Sequence, residues 1–157
     1  MRCLEFPSDY AKVRDFTKEI IASAPERFRE GSLLEQQVSE IVKNAIKHGN
    51  RGDPSKNVKV RFDFRRRARL IVEDEGRGFE ELDEWNAFLA RRQEALFRED
   101  FDAFLHLAAW RGRNSGPDDG GNSLIAALEY WNGGMVFNAA RNKVGVVRWF
   151  TGGSAIG

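Results

Sequence analysis

Strict alternation of apolar and polar positions marks one stretch of the chain, and a recurrence of three to four residues marks most of the remainder. Val58, Val60, Phe62 and Phe64 alternate with Lys59, Arg61 and Asp63, which predicts a strand with one buried face. Leu70 to Glu73 pairs back on it as a hairpin, with Arg65, Arg66, Arg67 and Arg69 at the turn, read as a solvated bend. Upstream, Cys3 to Phe6 is a short strand closed by Pro7, and Ser8 caps a helix over about Asp9 to Ser23. That helix sets Tyr10, Val13, Phe16, Ile20 and Ile21 on one side. Pro25 to Gly31 is a loop. Ser32 with Glu35 has the capping-box spacing and opens a helix running to His48, whose apolar face is Leu34, Val38, Ile41, Val42 and Ala45. NRGDPS, Asn50 to Ser55, is loop chemistry. Glu80 to Trp110 is helical in pattern, Arg111 to Gly121 is a loop expected to be mobile, and Asn122 to Tyr130 resumes a helix. Gly133 and Gly134 stop it, and Met135 to Ala139 with Val144 to Phe150 form a last hairpin around Arg141 to Lys143. This order predicts an α+β fold, a two-layer sandwich of an antiparallel or mixed sheet with helices on one face.

Composition narrows the function. The 157 residues fit one domain, and 41% hydrophobic content with 12 Phe and 4 Trp supplies a real core. Charged residues make up 31% but nearly cancel to +1, so nothing points to electrostatic capture of nucleic acid or of an anionic membrane. Cys3 is the single cysteine, which excludes an internal disulfide and a multi-cysteine zinc site and is ordinary for a reducing compartment. No apolar run has the length of a spanning helix, and MRCLEFPSDY lacks the apolar core of a signal peptide; a cytoplasmic location is expected.

Three stretches carry candidate chemistry. In VSEIVKNAIKHGN, Glu40, Asn44 and His48 follow at i, i+4 and i+8, and each step of four turns about 400°, so they form one row beside the apolar face. A carboxylate, an amide and an imidazole at the edge of an apolar wall suit a cleft that coordinates a metal-bound ligand and positions a proton acceptor. In DEGRG, Asp74 ends a strand and is followed by Gly76 and Gly78, which let the backbone turn tightly beneath a flat ring. A carboxylate accepts hydrogen bonds, so its natural partner is an exocyclic amine such as that of adenine. Gly120 and Gly121 lead through Asn122 and Ser123 into a helix, whose free N–H groups suit a polyphosphate. Taken singly, each also reads as ordinary structure: a His-Gly helix stop, a glycine-containing strand exit, a capped helix start.

In this order the three stretches resemble the nucleotide-binding boxes of the GHKL ATPase superfamily, which includes gyrase and the histidine kinases. Glu40, Asn44, His48 and Gly49 match its N box, Asp74, Gly76 and Gly78 its first glycine box, and Gly120 with Gly121 its second. Within the superfamily the chain is most similar to the small anti-sigma-factor serine kinases of bacterial partner-switching systems, closely over residues 1 to 80 and loosely over 120 to 150. The resemblance implies a histidine kinase-like ATP-binding fold that uses ATP and Mg²⁺. It implies that Asn44 ligates the metal, that Glu40 is the general base toward a protein serine, and that His48 and Asn50 line the phosphate side, binding the nucleotide or shaping the cleft. Asp74 would accept the adenine 6-amino hydrogen. Gly120, Gly121 and the N–H groups from Asn122 onward would hold the phosphates, and Arg111 or Arg113 would reach the terminal phosphate. Partners implied are a sigma factor or similar regulator, a small antagonist protein as substrate, and a second copy of the chain.

The chain also departs from that pattern. Asp119 stands at the first glycine position of the second box, and the segment of about residues 80 to 119 is a longer and more helical insert than the usual lid. That segment holds Trp85 and Trp110, read either as a docking surface or as an extra core layer. The alternative reading is a binding module that keeps the fold without phosphotransfer. An isolated histidine kinase catalytic domain is weaker, since His48 and His106 are the only histidines.

Overall fold

The computed structural model describes residues 1–107 and 123–150. Five strands form one sheet in the order β1-β2-β3-β5-β4: β1 (Arg2–Pro7), β2 (Asn57–Asp63), β3 (Ala68–Glu73), β4 (Gly134–Phe137) and β5 (Lys143–Arg148). Every pairing is antiparallel. Pro7 sits at the end of the edge strand β1, where its missing N–H costs no ladder bond. The alternation expected of β2 is realised: Val58, Val60 and Phe62 are buried, as is Phe64 just beyond, while Lys59 is exposed. Ala68, Leu70 and Val72 of β3 and Val146 of β5 share that inner face through the register Val60↔Val72 and Val72↔Val144.

Helices supply the second layer. After a 3₁₀ turn at Tyr10–Lys12, α1 (Val13–Ile21) buries Val13, Phe16, Ile20 and Ile21, and Phe16 stacks on Phe6 of β1 with ring centroids 4.3 Å apart. Tyr10, expected on the same side, is exposed because the 3₁₀ turn, with Asp9 accepting from Ala11 N–H at 3.1 Å, rotates it off the α-helical face. Pro25 to Gly31 contains a short helix, α2 (Glu26–Arg29), rather than only a loop; Pro25 starts it and Glu30, at φ 48°, ends it. Its Phe28 is buried and stacks on Phe150 at 4.2 Å. In α3 (Leu33–Asn44), Leu34, Val38, Ile41 and Val42 are buried, each worth about 1.5–3 kcal/mol relative to exposure. The Ser32 side chain makes no capping bond; it accepts instead from Gln36 Nε2 at 3.0 Å.

The basic hairpin is internally paired. Asp63 is flanked by Arg65 at 3.0 Å and by Arg69, and these bonds hold its carboxyl well below the usual carboxylate range. Arg67 lies over Trp149, 4.6 Å from the ring centroid.

Two compact units are distinguished, 1–79 with 130–157 and 80–129. In the second, the helical pattern of 80 to 110 divides into α4 (Leu82–Phe97) and α5 (Phe101–Leu107). The break is made by Glu99, at φ 54°, and by Asp100, whose side chain accepts from Ala103 N–H at 3.1 Å. Trp85 is fully buried, with Phe88 stacked at 5.2 Å, so it belongs to a core layer and not to a docking surface; Trp110 lies outside the described residues. α6 (Ser123–Tyr130) closes the helical set. No helix among the described residues is long and apolar enough to cross a membrane.

Candidate functional site

The helix that carries Glu40 and Asn44 changes character just after Asn44. Ala45–Gly49 form a π-helical turn, in which Asn50 N–H bonds to Ala45 O, five residues back, at 2.9 Å. A π turn takes one residue more than an α turn, so the row predicted at steps of four runs from Glu40 to Asn44 and does not continue through His48. Asn44 and His48 are both exposed. Glu40, with its side chain 43% exposed, pairs with Lys43 at 3.4 Å.

The widened turn brings Gly49 onto the exit of β3. A Cβ on Gly49 would overlap the Asp74 carboxylate, and one on Gly76 would overlap the Gly49 carbonyl. These glycines are required by close contact, with a side chain at Gly49 and with backbone at Gly76, rather than by torsion. Gly78 is required by both, since it has φ 69° and its Cβ would meet the Arg141 carbonyl. The floor beneath the loop is the β4–β5 turn: Asp74 N–H donates to Asn142 O at 2.9 Å and Phe79 N–H to Arg141 O at 2.7 Å. Gly49→Ala is therefore expected to destabilise the fold by about 1–3 kcal/mol, a cost typical of overpacking, and urea denaturation checks it. An unchanged midpoint would mean that the Asp74 side chain swings away at no cost.

Asp74 is 7% exposed, and one of its oxygens accepts from Gly76 N–H at 2.9 Å while the other is turned toward Gly49. Burial pushes its carboxyl above the usual range, against the opposing effect of the Gly76 hydrogen bond. Such a carboxylate seeks a donor. Asn50 is buried and fully engaged: Oδ1 accepts from Glu75 N–H at 2.7 Å, and Nδ2 donates to Ser8 Oγ at 2.9 Å and Asn57 O at 3.0 Å. Its place is under the site, shaping it.

Arg111, Arg113, Gly120, Gly121 and Asn122 lie outside the described residues, as does Asp119. Sequence reasoning missed Ser8, Asn57, Glu75, Arg141 and Asn142. Four of these act through backbone groups, which no side-chain pattern announces, and Ser8 acts across 42 residues.

The donor set fits a purine nucleotide with a hard cation. Asp74 offers an acceptor above a glycine-lined turn. Among the described residues no group of three or more His, Cys, Asp or Glu side chains could hold a metal alone, but Mg²⁺ takes most of its ligands from phosphates and water and needs only an oxygen such as that of the Asn44 amide.

No curated protein matches the chain. The family model for the histidine kinase-like ATPase domain matches residues 6–98, which run from the end of β1 through α3 with its π turn and the Asp74 exit to the end of α4. The chain thus belongs to the histidine kinase-like ATPase domain family, an ATP-binding fold of the GHKL type.

Proposed function

We propose that the chain is an ATP-dependent serine/threonine protein kinase of the anti-sigma-factor type, which binds a sigma factor or similar regulator and phosphorylates a small antagonist protein on serine. The observation that carries this reading is the seating of Gly49 on Asp74: the helix bearing Glu40 and Asn44 ends directly against the base acceptor. Asp74 accepts from the adenine amine, and Gly76 and Gly78 let the turn that carries it pack against the Gly49 and Arg141 carbonyls. Mg²⁺, when bound, would be held by the Asn44 amide oxygen and would neutralise phosphate charge. Glu40, one turn earlier and open to solvent, takes the proton of the substrate serine. The serine oxygen then bonds to the terminal phosphorus as the bond to the bridging oxygen breaks and ADP leaves. Arg111 or Arg113 and the second glycine box, with Gly120, Gly121 and Asn122, complete the phosphate side in this reading, and two copies of the chain share the regulator.

A binding module without phosphotransfer is the second reading, favoured by the Glu40–Lys43 ion pair, which engages the carboxylate that would serve as base. Calorimetric titration with ATP, with and without Mg²⁺, separates the two when followed by incubation with γ-labelled ATP and candidate antagonist proteins. Micromolar, Mg²⁺-dependent binding and label on serine are expected. Binding without transfer to any such protein moves the assignment to the second reading, and absence of binding overturns the kinase.

A further inference from the structure

We propose that Asn50 sets the base selectivity of the nucleotide site without touching the nucleotide, by fixing the peptide that aims the Asp74 carboxylate. The inference rests on the reading of Asp74 as the adenine acceptor. It deepens that reading by naming the residue through which the acceptor is held.

The Asn50 side chain joins four segments. It leaves the end of the π turn, donates to Ser8 beyond β1 and to the Asn57 carbonyl at the start of β2, and accepts from Glu75 N–H at the exit of β3. Ser8 Oγ–H donates to Lys56 O at 2.6 Å, so the network closes on the loop leading into β2. A second tie runs beside it, from Asn57 N–H to the Glu75 carboxylate. Asn50 is 1% exposed and Ser8 3%, so water does not substitute readily for either.

The bond to Glu75 N–H matters because that N–H belongs to the peptide that follows Asp74. Fixing this peptide plane fixes the direction of the Asp74 side chain. The next N–H, of Gly76, then binds one Asp74 oxygen at 2.9 Å, and the other lies beside Gly49. The order of control is Asn50, the 74–76 turn, the carboxylate. Asn44, by contrast, is held by the helix it sits in, upstream of the π turn. Loss of the Asn50 amide therefore loosens the base end of the site and leaves the phosphate end in place. Asn50 is a positioning residue, and its signature is a loss of discrimination rather than a uniform loss of affinity.

The test compares ATP with purine riboside triphosphate, which lacks only the 6-amino group, by calorimetry in the presence of Mg²⁺. The wild type is expected to prefer ATP by about tenfold or more, the scale of a hydrogen bond to a charged group. In Asn50→Ala the preference falls to about twofold or less while affinity for purine riboside triphosphate changes by less than about twofold. Ser8→Ala, which removes a single arm of the network, gives an intermediate preference; should Asn50→Ala fail to fold, the Ser8→Ala ratio decides the matter. An unchanged preference in a folded variant overturns the inference, as does an equal loss for both nucleotides, which marks a general scaffold role. A wild type that does not distinguish the two nucleotides removes the Asp74 assignment itself, and the inference with it.

Discussion

Asp74→Asn is expected to lower ATP affinity by about 100-fold or more, yet leave the protein at least as stable as the wild type at neutral pH. The affinity loss follows from how the carboxylate is held. Gly76 N–H claims one oxygen at 2.9 Å. An amide at this position would turn its own oxygen to that N–H and present its NH₂ to the adenine amine, setting donor against donor where a charge-assisted bond had been. The stability result follows from the opposite balance. Burial is the largest influence on Asp74 and raises its carboxyl pKa; Glu73 adds to it, while the Gly76 bond and Lys56 oppose. A folded-state pKa above the unfolded one means that charging the group costs stability as pH rises from the unfolded carboxylate value through the folded one. Above the folded-state pKa the wild type bears that cost in full and the amide does not. In acid the carboxyl is neutral in both states and the two proteins converge. Thermal unfolding at about pH 2.5 and at pH 7, beside calorimetry with ATP, checks both halves. A variant that binds ATP normally removes Asp74 as acceptor, and one that unfolds earlier than wild type at pH 7 shows that its hydrogen bonds outweigh its burial. ATP affinity of the wild type should also fall on acidification at a higher pH than an exposed aspartate would dictate.

That a single carboxylate bears so much follows from the way local pattern and long-range contact divide the site. The periods of the chain made the scaffold legible. Leu34, Val38, Ile41, Val42 and Ala45 share one helical face, Val58, Val60 and Phe62 share one strand face, and all are buried. The placement of Glu40 and Asn44 one turn apart on a helix and of Asp74 at a strand exit was legible for the same reason, since helix spacing and a strand ending in glycine are local signals. What closes the site is not local. The π turn depends on Gly49 finding the Asp74 side chain and on Asn50 finding Ser8, Asn57 and Glu75, contacts between residues 7 to 42 positions apart. A regular α period carried through His48 is the natural extrapolation until those partners are known. The same limit explains Ser32, whose spacing to Glu35 suits a capping box although its hydroxyl bonds to Gln36. The break after Phe97 had a local cue in Asp100, hidden by the uninterrupted apolar recurrence on either side.

Glu40→Gln and Asn44→Ala are expected to divide phosphotransfer from nucleotide binding, and with them the kinase reading from the binding-module reading. Glu40 pairs with Lys43 at 3.4 Å, and both groups are more than one-third exposed, so the pair contributes little to stability. Removing the charge at Glu40 while keeping its shape should leave ATP affinity within about twofold of wild type and lower phosphotransfer by about 100- to 10,000-fold, the range for a general base. Asn44 is exposed at the end of the α-helical segment, with its amide open to a cation. Asn44→Ala should abolish the increase in ATP affinity that Mg²⁺ produces and leave the Mg²⁺-independent part unchanged, because Asp74 and its glycines are untouched. Single-turnover transfer from γ-labelled ATP, set beside calorimetry with and without Mg²⁺, reads both effects. Transfer at the wild-type rate in Glu40→Gln removes Glu40 as base and directs attention to the exposed His48 on the following turn. An undiminished Mg²⁺ effect in Asn44→Ala assigns the cation to the phosphates and water alone, in which case the α3 helix contributes Glu40 to the reaction and nothing to the metal.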